Sequence, residues 1–201
     1  MKNNPKKFNI VKAAQKRFAR HGLAKTTIEE IARDLRIGKA SIYHYYASKE
    51  DIYYDVISFE IDRFTAEIRD ILAGIEIPQA EKRLAMYLEF KLKTPEKYSL
   101  IFDLVKLAFR DFPLEKDLEN LQNLLKNEES AILEFLRNNI DKKKLNPRLS
   151  VMLIKQTWAF VLAETFNKTL FGGELSEPFL PAATPEDAAL FWESYFRQLL
   201  L

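Results

Sequence analysis

Between positions 39 and 45 the chain sets out Lys39, Ser41, Tyr43, His44 and Tyr45, while Ile42 and Tyr46 stand four apart. An ammonium, a hydroxyl, two phenols and an imidazole are donors and acceptors suited to base edges and phosphate oxygens. The Ile42/Tyr46 pair is the inner, packing face of the same short helix. Nothing else in the chain competes as chemistry. It lacks cysteine, which removes disulfides, thiolate nucleophiles and Cys-based metal sites. No nucleophile–base motif or glycine-rich phosphate loop is present, so catalysis is not expected. His21 and His44 are isolated from any carboxylate cluster, so neither a metal nor another cofactor is expected.

Such a helix works only if others hold it against a duplex, and the flanking sequence supplies them. A first helix is expected from about Lys6 to Arg20, with Ile10, Val11, Ala14 and Phe18 on one stripe and Gly22 just past its end. Thr27-Ile28-Glu29-Glu30 is a capping box that opens a second helix, whose apolar line runs through Ile28, Ile31, Ala32 and Leu35. The turn holds Ile37, expected to be buried, and Gly38 at the entrance of the third helix. Two short helices joined by a tight turn, with a supporting helix before them, form a helix-turn-helix over residues 27–45. Ser48 with Asp51 three residues later opens a fourth helix that runs to about Ala73. At ~1.5 Å per residue that connector is roughly 37 Å long.

Charge follows the same division. Residues 1–50 hold 12 Lys/Arg and 4 Asp/Glu, a net +8, while the rest of the chain carries −6. A basic module on an acidic body accumulates polyanions, although charge alone fits a solvated lysine-rich surface equally well. Further helices are expected at about 79–93, 95–109, 115–140, 147–171 and 185–200, giving an all-α protein of about nine helices. The organisation expected is a DNA-binding domain over 1–48 and a larger helical domain over 49–201. The basic N-terminus is followed by no apolar signal-peptide core, and Trp158–Ala163 is far shorter than the about 20 apolar residues that span a bilayer. A cytoplasmic protein with no membrane partner is expected.

The run Thr26-Thr27-Ile28-Glu29-Glu30-Ile31-Ala32, then Gly38-Lys39-Ala40-Ser41-Ile42-Tyr43-His44-Tyr45-Tyr46, then Ser48-Lys49-Glu50-Asp51 resembles the N-terminal signature of TetR-family transcriptional regulators. Ala13-Ala14 and Phe18-Ala19-Arg20-His21-Gly22 are similar to that family's first helix. The resemblance covers residues 6 to about 55. It implies DNA contacts from Thr26, Thr27, Lys39, Ala40, Ser41, Tyr43, His44, Tyr45 and Lys49. Gly38 stands where the family often has Ser or Thr and so lacks a capping hydroxyl. Arg36 stands where it often has Gly or Ala and would add a phosphate contact.

The resemblance also implies a homodimer on a palindromic operator, joined through the eighth and last helices. Residues 149–163 are apolar nearly all round, as a helix covered on both sides must be. The expected interface residues are Leu153, Phe160, Phe191, Trp192, Tyr195 and Leu199. Phe64, Tyr87, Phe90, Phe102, Phe109, Trp158 and Phe166 sit on helices that line the ligand cavity in TetR-like folds. They imply a small hydrophobic or aromatic effector that releases a repressor from DNA. Gln156, Thr157, Thr165 and Asn167 could orient it. Aromatics at helical spacing also read as plain core. The alternative reading is a TetR-like nucleoid-associated or partner-binding DNA protein without an effector.

Overall fold

The computed structural model describes residues 4–74, 77–107, 114–140, 148–171, 190 and 192–197, with the backbone alone for 167–171. Among these residues the fold is all helical. The helices are α1 (Pro5–Lys25), α2 (Ile28–Asp34), α3 (Lys39–Tyr43), α4 (Lys49–Ala73), α5 (Ala80–Leu92), α6 (Thr94–Lys97), α7 (Ser99–Leu107), α8 (Glu115–Asn139) and α9 (Arg148–Phe171), and 192–197 add a last helical stretch. The chain divides into two compact units, residues 1–63 with 99–122 and residues 64–98 with 123–201. The unit that holds the helix-turn-helix is therefore larger than residues 1–48. It takes in the first part of α4 and all of α7.

In the first unit the local rules act as expected. Asn4 caps α1 by accepting the Lys7 N–H at 3.2 Å, ahead of Pro5. Ile10, Val11, Ala14 and Phe18 are its buried face. Gly22 takes φ 74°, a value open to glycine, and breaks α1 before a final short turn that carries it past Arg20 to Lys25. The core is completed by Ile31, Ala32, Ile42, Ile52 and Val56, with Phe18 edge-on to Tyr53 at 5.4 Å. Burying each of the Ile, Val and Phe side chains contributes about 1.5–3 kcal/mol.

Glu60 of α4 departs from this apolar pattern. It is buried and accepts the Gln15 side-chain N–H of α1 at 2.9 Å through Oε1, while Oε2 has no partner. Burial raises its pKa above the ordinary carboxylate value, against the Gln15 hydrogen bond and the Arg63 charge. A carboxyl raised in the folded state leaves stability untouched at acid pH. It costs stability as pH rises from the ordinary value through the folded one. Glu60→Gln is expected to melt higher than wild type at about pH 8 and to lose that advantage near about pH 4.5, in paired thermal melts.

In the second unit, Phe64 stands at the centre of an aromatic cluster. Phe90 lies 5.1 Å from it, Tyr98 5.4 Å edge-on, and Trp158 6.1 Å stacked. An ion pair between Lys91 and Glu128, both fully buried, lies against this cluster. Glu128 also accepts the Tyr87 hydroxyl at 2.5 Å and the Trp158 indole N–H at 3.0 Å. The Lys91 ammonium sits 3.4 Å from the Trp158 ring centre. Burial pulls the Lys91 ammonium down to about 8, against the attraction of Glu128. At the end of α4, Arg83 donates to the Leu72 and Ala73 carbonyls at 2.9 and 3.2 Å and to Asn139 at 2.6 Å. It thereby satisfies carbonyls that the helix leaves open.

Two expectations are corrected here. The helix expected over 95–109 is two helices, α6 and α7, separated at Tyr98, where φ is −131° and ψ is 55°. Tertiary packing overrides propensity at that point: the Tyr98 ring wedges against Phe64 and Phe90, and its hydroxyl donates to Glu67 at 2.5 Å. Ile37, expected in the interior, is 40 % exposed. Arg36 takes φ 54° and turns the chain so that Ile37 lies outside.

Candidate nucleic-acid interface

The interface is built on α2 and α3. The Thr27 hydroxyl accepts the Glu30 N–H at 3.3 Å, and the Glu30 carboxylate accepts the Thr27 N–H at 2.9 Å. This is the reciprocal capping box, and it holds the start of α2 in place. Arg17 of α1 forks onto Asp34 at the end of α2, at 2.6 and 2.7 Å, and reaches Glu30 at 3.3 Å. The paired guanidinium holds the Asp34 carboxyl below its ordinary value.

With α2 braced, α3 is set by a single anchor, the fully buried Ile42. Gly38 caps it without a side-chain hydrogen bond. Just past α3, Tyr46 is buried and donates to Asp55 at 2.9 Å, and Lys7 closes on the same carboxylate at 2.8 Å. Tyr46 is thus a packing residue. Lys39, Ala40, Ser41, Tyr43 and His44 are exposed together, and Tyr45 is half-buried with its ring edge-on to His44 at 5.0 Å. Beside them a groove of about 500 Å³ is lined by Lys6 and Asn9 of α1, by Ile37, and by Ala40, Ser41, His44 and Tyr45. A cation and several hydrogen-bonding groups along a trough with apolar walls can receive a sugar–phosphate strand or the edge of a base.

Thr27 and Arg36 are also exposed. Thr26 is not available for contact: it is buried, and its hydroxyl donates to the Gly22 carbonyl at 2.8 Å. Lys49 donates to the Leu23 carbonyl at 2.7 Å, at the end of α1. Glu29 passed unnoticed in the sequence. It is exposed in the first turn of α2 and forms an ion pair with Lys39, whose ammonium also lies 5.4 Å from the Tyr43 ring centre.

The other expected sites separate. Phe64, Tyr87, Phe90 and Trp158 gather around Lys91 and Glu128, which the sequence reading did not include. Phe102 is buried in the first unit, and Phe166 is 61 % exposed on α9. Leu153 is buried inside the second unit. Phe160 is half-buried and edge-on to Trp192 at 5.9 Å, while Tyr195 is exposed. Phe109, Phe191 and Leu199, with the Asn167 side chain, lie outside the described residues. Among the described residues no group of three or more His, Cys, Asp or Glu is placed to hold a metal. No described helix is long and apolar enough to cross a membrane.

Comparison with known proteins agrees with this geometry. The sequence profile of "Bacterial regulatory proteins, tetR family" matches residues 10–56, from within α1 into α4. The transcriptional regulator HbdR of Aromatoleum sp. (strain CIB) is 32 % identical over 73 residues, 36 % of this chain and 32 % of its own length. The transcriptional repressor KstR2 of Mycobacterium tuberculosis is 33 % identical over 75 residues, 37 % of this chain and 38 % of its own. The chain thus spans about a third of the length of the curated relatives it matches. The fold is similar over nearly the whole chain to the transcriptional regulator FadR of Bacillus subtilis, with TM-score 0.60, 20 % identity, and 96 % and 97 % of the two chains covered. This all-α chain thus opens on a capped helix-turn-helix that matches the profile of the tetR family of bacterial regulatory proteins over residues 10–56, and its fold is similar to that of a solved transcriptional regulator over nearly its whole length.

Proposed function

We infer that the protein is a cytoplasmic, non-enzymatic repressor that grips a two-fold operator as a homodimer and is released by a hydrophobic or aromatic small molecule. The observation that carries this reading is the exposed polar face of α3 beside the capped start of α2. Lys39, Ala40, Ser41 and Tyr43 face base edges and phosphates. Thr27, Arg36, His44 and Tyr45 hold the strand. An ammonium has three donors, so the bond from Lys49 to Leu23 leaves two for a phosphate. Residues 1–48 supply the DNA grip, and residues 49–201 the effector site and the dimer.

Dimerisation draws support from α9. It buries Leu153, Ile154, Trp158 and Val161, yet Val151, Met152, Ala159, Ala163 and Phe166 remain exposed along the same helix. A helix apolar on both sides has one flank left for a second copy. Phe64, Tyr87, Phe90 and Trp158 form the aromatic wall of the effector site, with Lys91 and Glu128 as its polar anchor. The similar FadR of Bacillus subtilis was solved in complex with stearoyl-CoA, which makes acyl compounds the first to try.

Thermal melts against a panel of hydrophobic carboxylic acids, acyl thioesters and aromatic compounds test the effector. A ligand selective for the folded state at about 100 times its Kd adds about 2.7 kcal/mol, a readable rise in Tm. At least one compound is expected to raise Tm and to release the protein from DNA. A flat response across the panel would favour the effector-free alternative.

A further inference from the structure

We propose that Glu29 sets how far the protein prefers its operator over other DNA, by occupying the Lys39 ammonium until a correctly placed acceptor displaces it. The proposal rests on the DNA-binding reading above and extends it to a residue outside the expected contact set.

Glu29 lies one residue past Ile28 in the first turn of α2, and Lys39 is the first residue of α3. The turn between these helices brings the two side chains into an ion pair on the exposed surface. Lys39 is further flanked by the Tyr43 ring. Thr27 and Glu30 are already committed to each other in the capping box, and the Arg17 guanidinium lies against Glu30, not Glu29. Lys39 is thus the basic side chain paired with Glu29, and a carboxylate stands within the surface that must meet a polyanion.

The consequences differ between the two kinds of DNA. On random sequence, Lys39 can only exchange Glu29 for a phosphate. The freed carboxylate then stands among backbone charges, so much of the gain is cancelled. On the operator, Lys39 is offered a base-edge acceptor, such as guanine O6 or N7, inside the major groove. There the exchange is repaid by a fixed hydrogen bond. A group that penalises the wrong partner more than the right one raises specificity at the expense of raw affinity.

The test measures binding of the full-length protein to the duplex enriched by selection from random DNA and to unselected random-sequence duplexes, across about 50–200 mM salt. Glu29→Gln is expected to tighten random-sequence binding about tenfold and to steepen its log–log salt slope by about 0.9 for each protomer bound, the worth of one released phosphate counterion. The selected duplex should gain only about twofold, so the preference falls about fivefold. Adding Lys39→Met should abolish the gain on random DNA. Asp62→Asn, which removes an exposed carboxylate from α4, controls for net charge. An unchanged preference in Glu29→Gln would overturn the proposal, as would a gain that survives Lys39→Met or is matched by Asp62→Asn. A wild-type protein that enriches no sequence would instead overturn the DNA-binding reading.

Discussion

Replacing Lys91 with methionine is expected to cost about 3–5 kcal/mol of folding stability. Lys91 and Glu128 are both fully buried, and the carboxylate also takes the Tyr87 hydroxyl and the Trp158 indole N–H. Removing the ammonium leaves an anion with two neutral donors in an aromatic surround, and the desolvation of that anion is no longer offset. The second change is the informative one. Lys91→Met with Glu128→Gln removes both charges; the amide oxygen can accept the Trp158 indole N–H while the amide NH2 donates to the Tyr87 hydroxyl oxygen. It should recover more than half of the loss, because a buried ion pair is worth little against a neutral replacement. Urea unfolding of the two single variants and the double variant gives the coupling directly. If Lys91→Met alone costs under about 1 kcal/mol, the pair is not buried as described.

The second large effect falls on DNA and should leave the fold alone. Lys39→Ala with Tyr43→Ala is expected to weaken binding to the selected duplex about a hundredfold, as the loss of two contacts from one recognition helix implies. Both side chains are exposed, and neither fills the core set by Ile42 and Tyr46, so Tm should hold within a few degrees. Ile42→Ala is the contrasting change. It removes the buried anchor of α3, and DNA binding should then fall together with stability. A double variant that binds as well as wild type would remove α3 from the interface.

Local rules made the first unit legible. The Thr27/Glu30 box, the Ser48/Asp51 start, the positive φ at Gly22 and the four apolar positions of α1 all stand where spacing puts them. Each depends on residues within one turn of one another. What escaped the sequence reading depends on residues far apart. Tyr98 breaks a helix because rings from α4 and α5 hold it, and no signal within 95–109 announces that. Thr26 has the type of a phosphate ligand, but its hydroxyl is committed to Gly22. Lys91 and Glu128 left a usable trace. Position 91 continues the buried line of Leu84, Tyr87 and Leu88, and position 128 lies between Leu124 and Ile132 on another. A charged residue on an apolar stripe must find a partner or lose its charge, and two such residues on separate helices could have been paired. Glu29 left none, since a first-turn carboxylate reads simply as dipole-favoured.

The proposed function requires that the exposed face of α3 read a DNA sequence. A binding selection with the purified full-length protein on a random duplex library tests it most directly. Enrichment of one motif with two-fold symmetry is expected, its half-sites about one helical turn apart. That enrichment should disappear for the Lys39→Ala/Tyr43→Ala variant. If wild-type protein recovers the library without preference, or if the variant enriches the same motif, α3 is not the reading element.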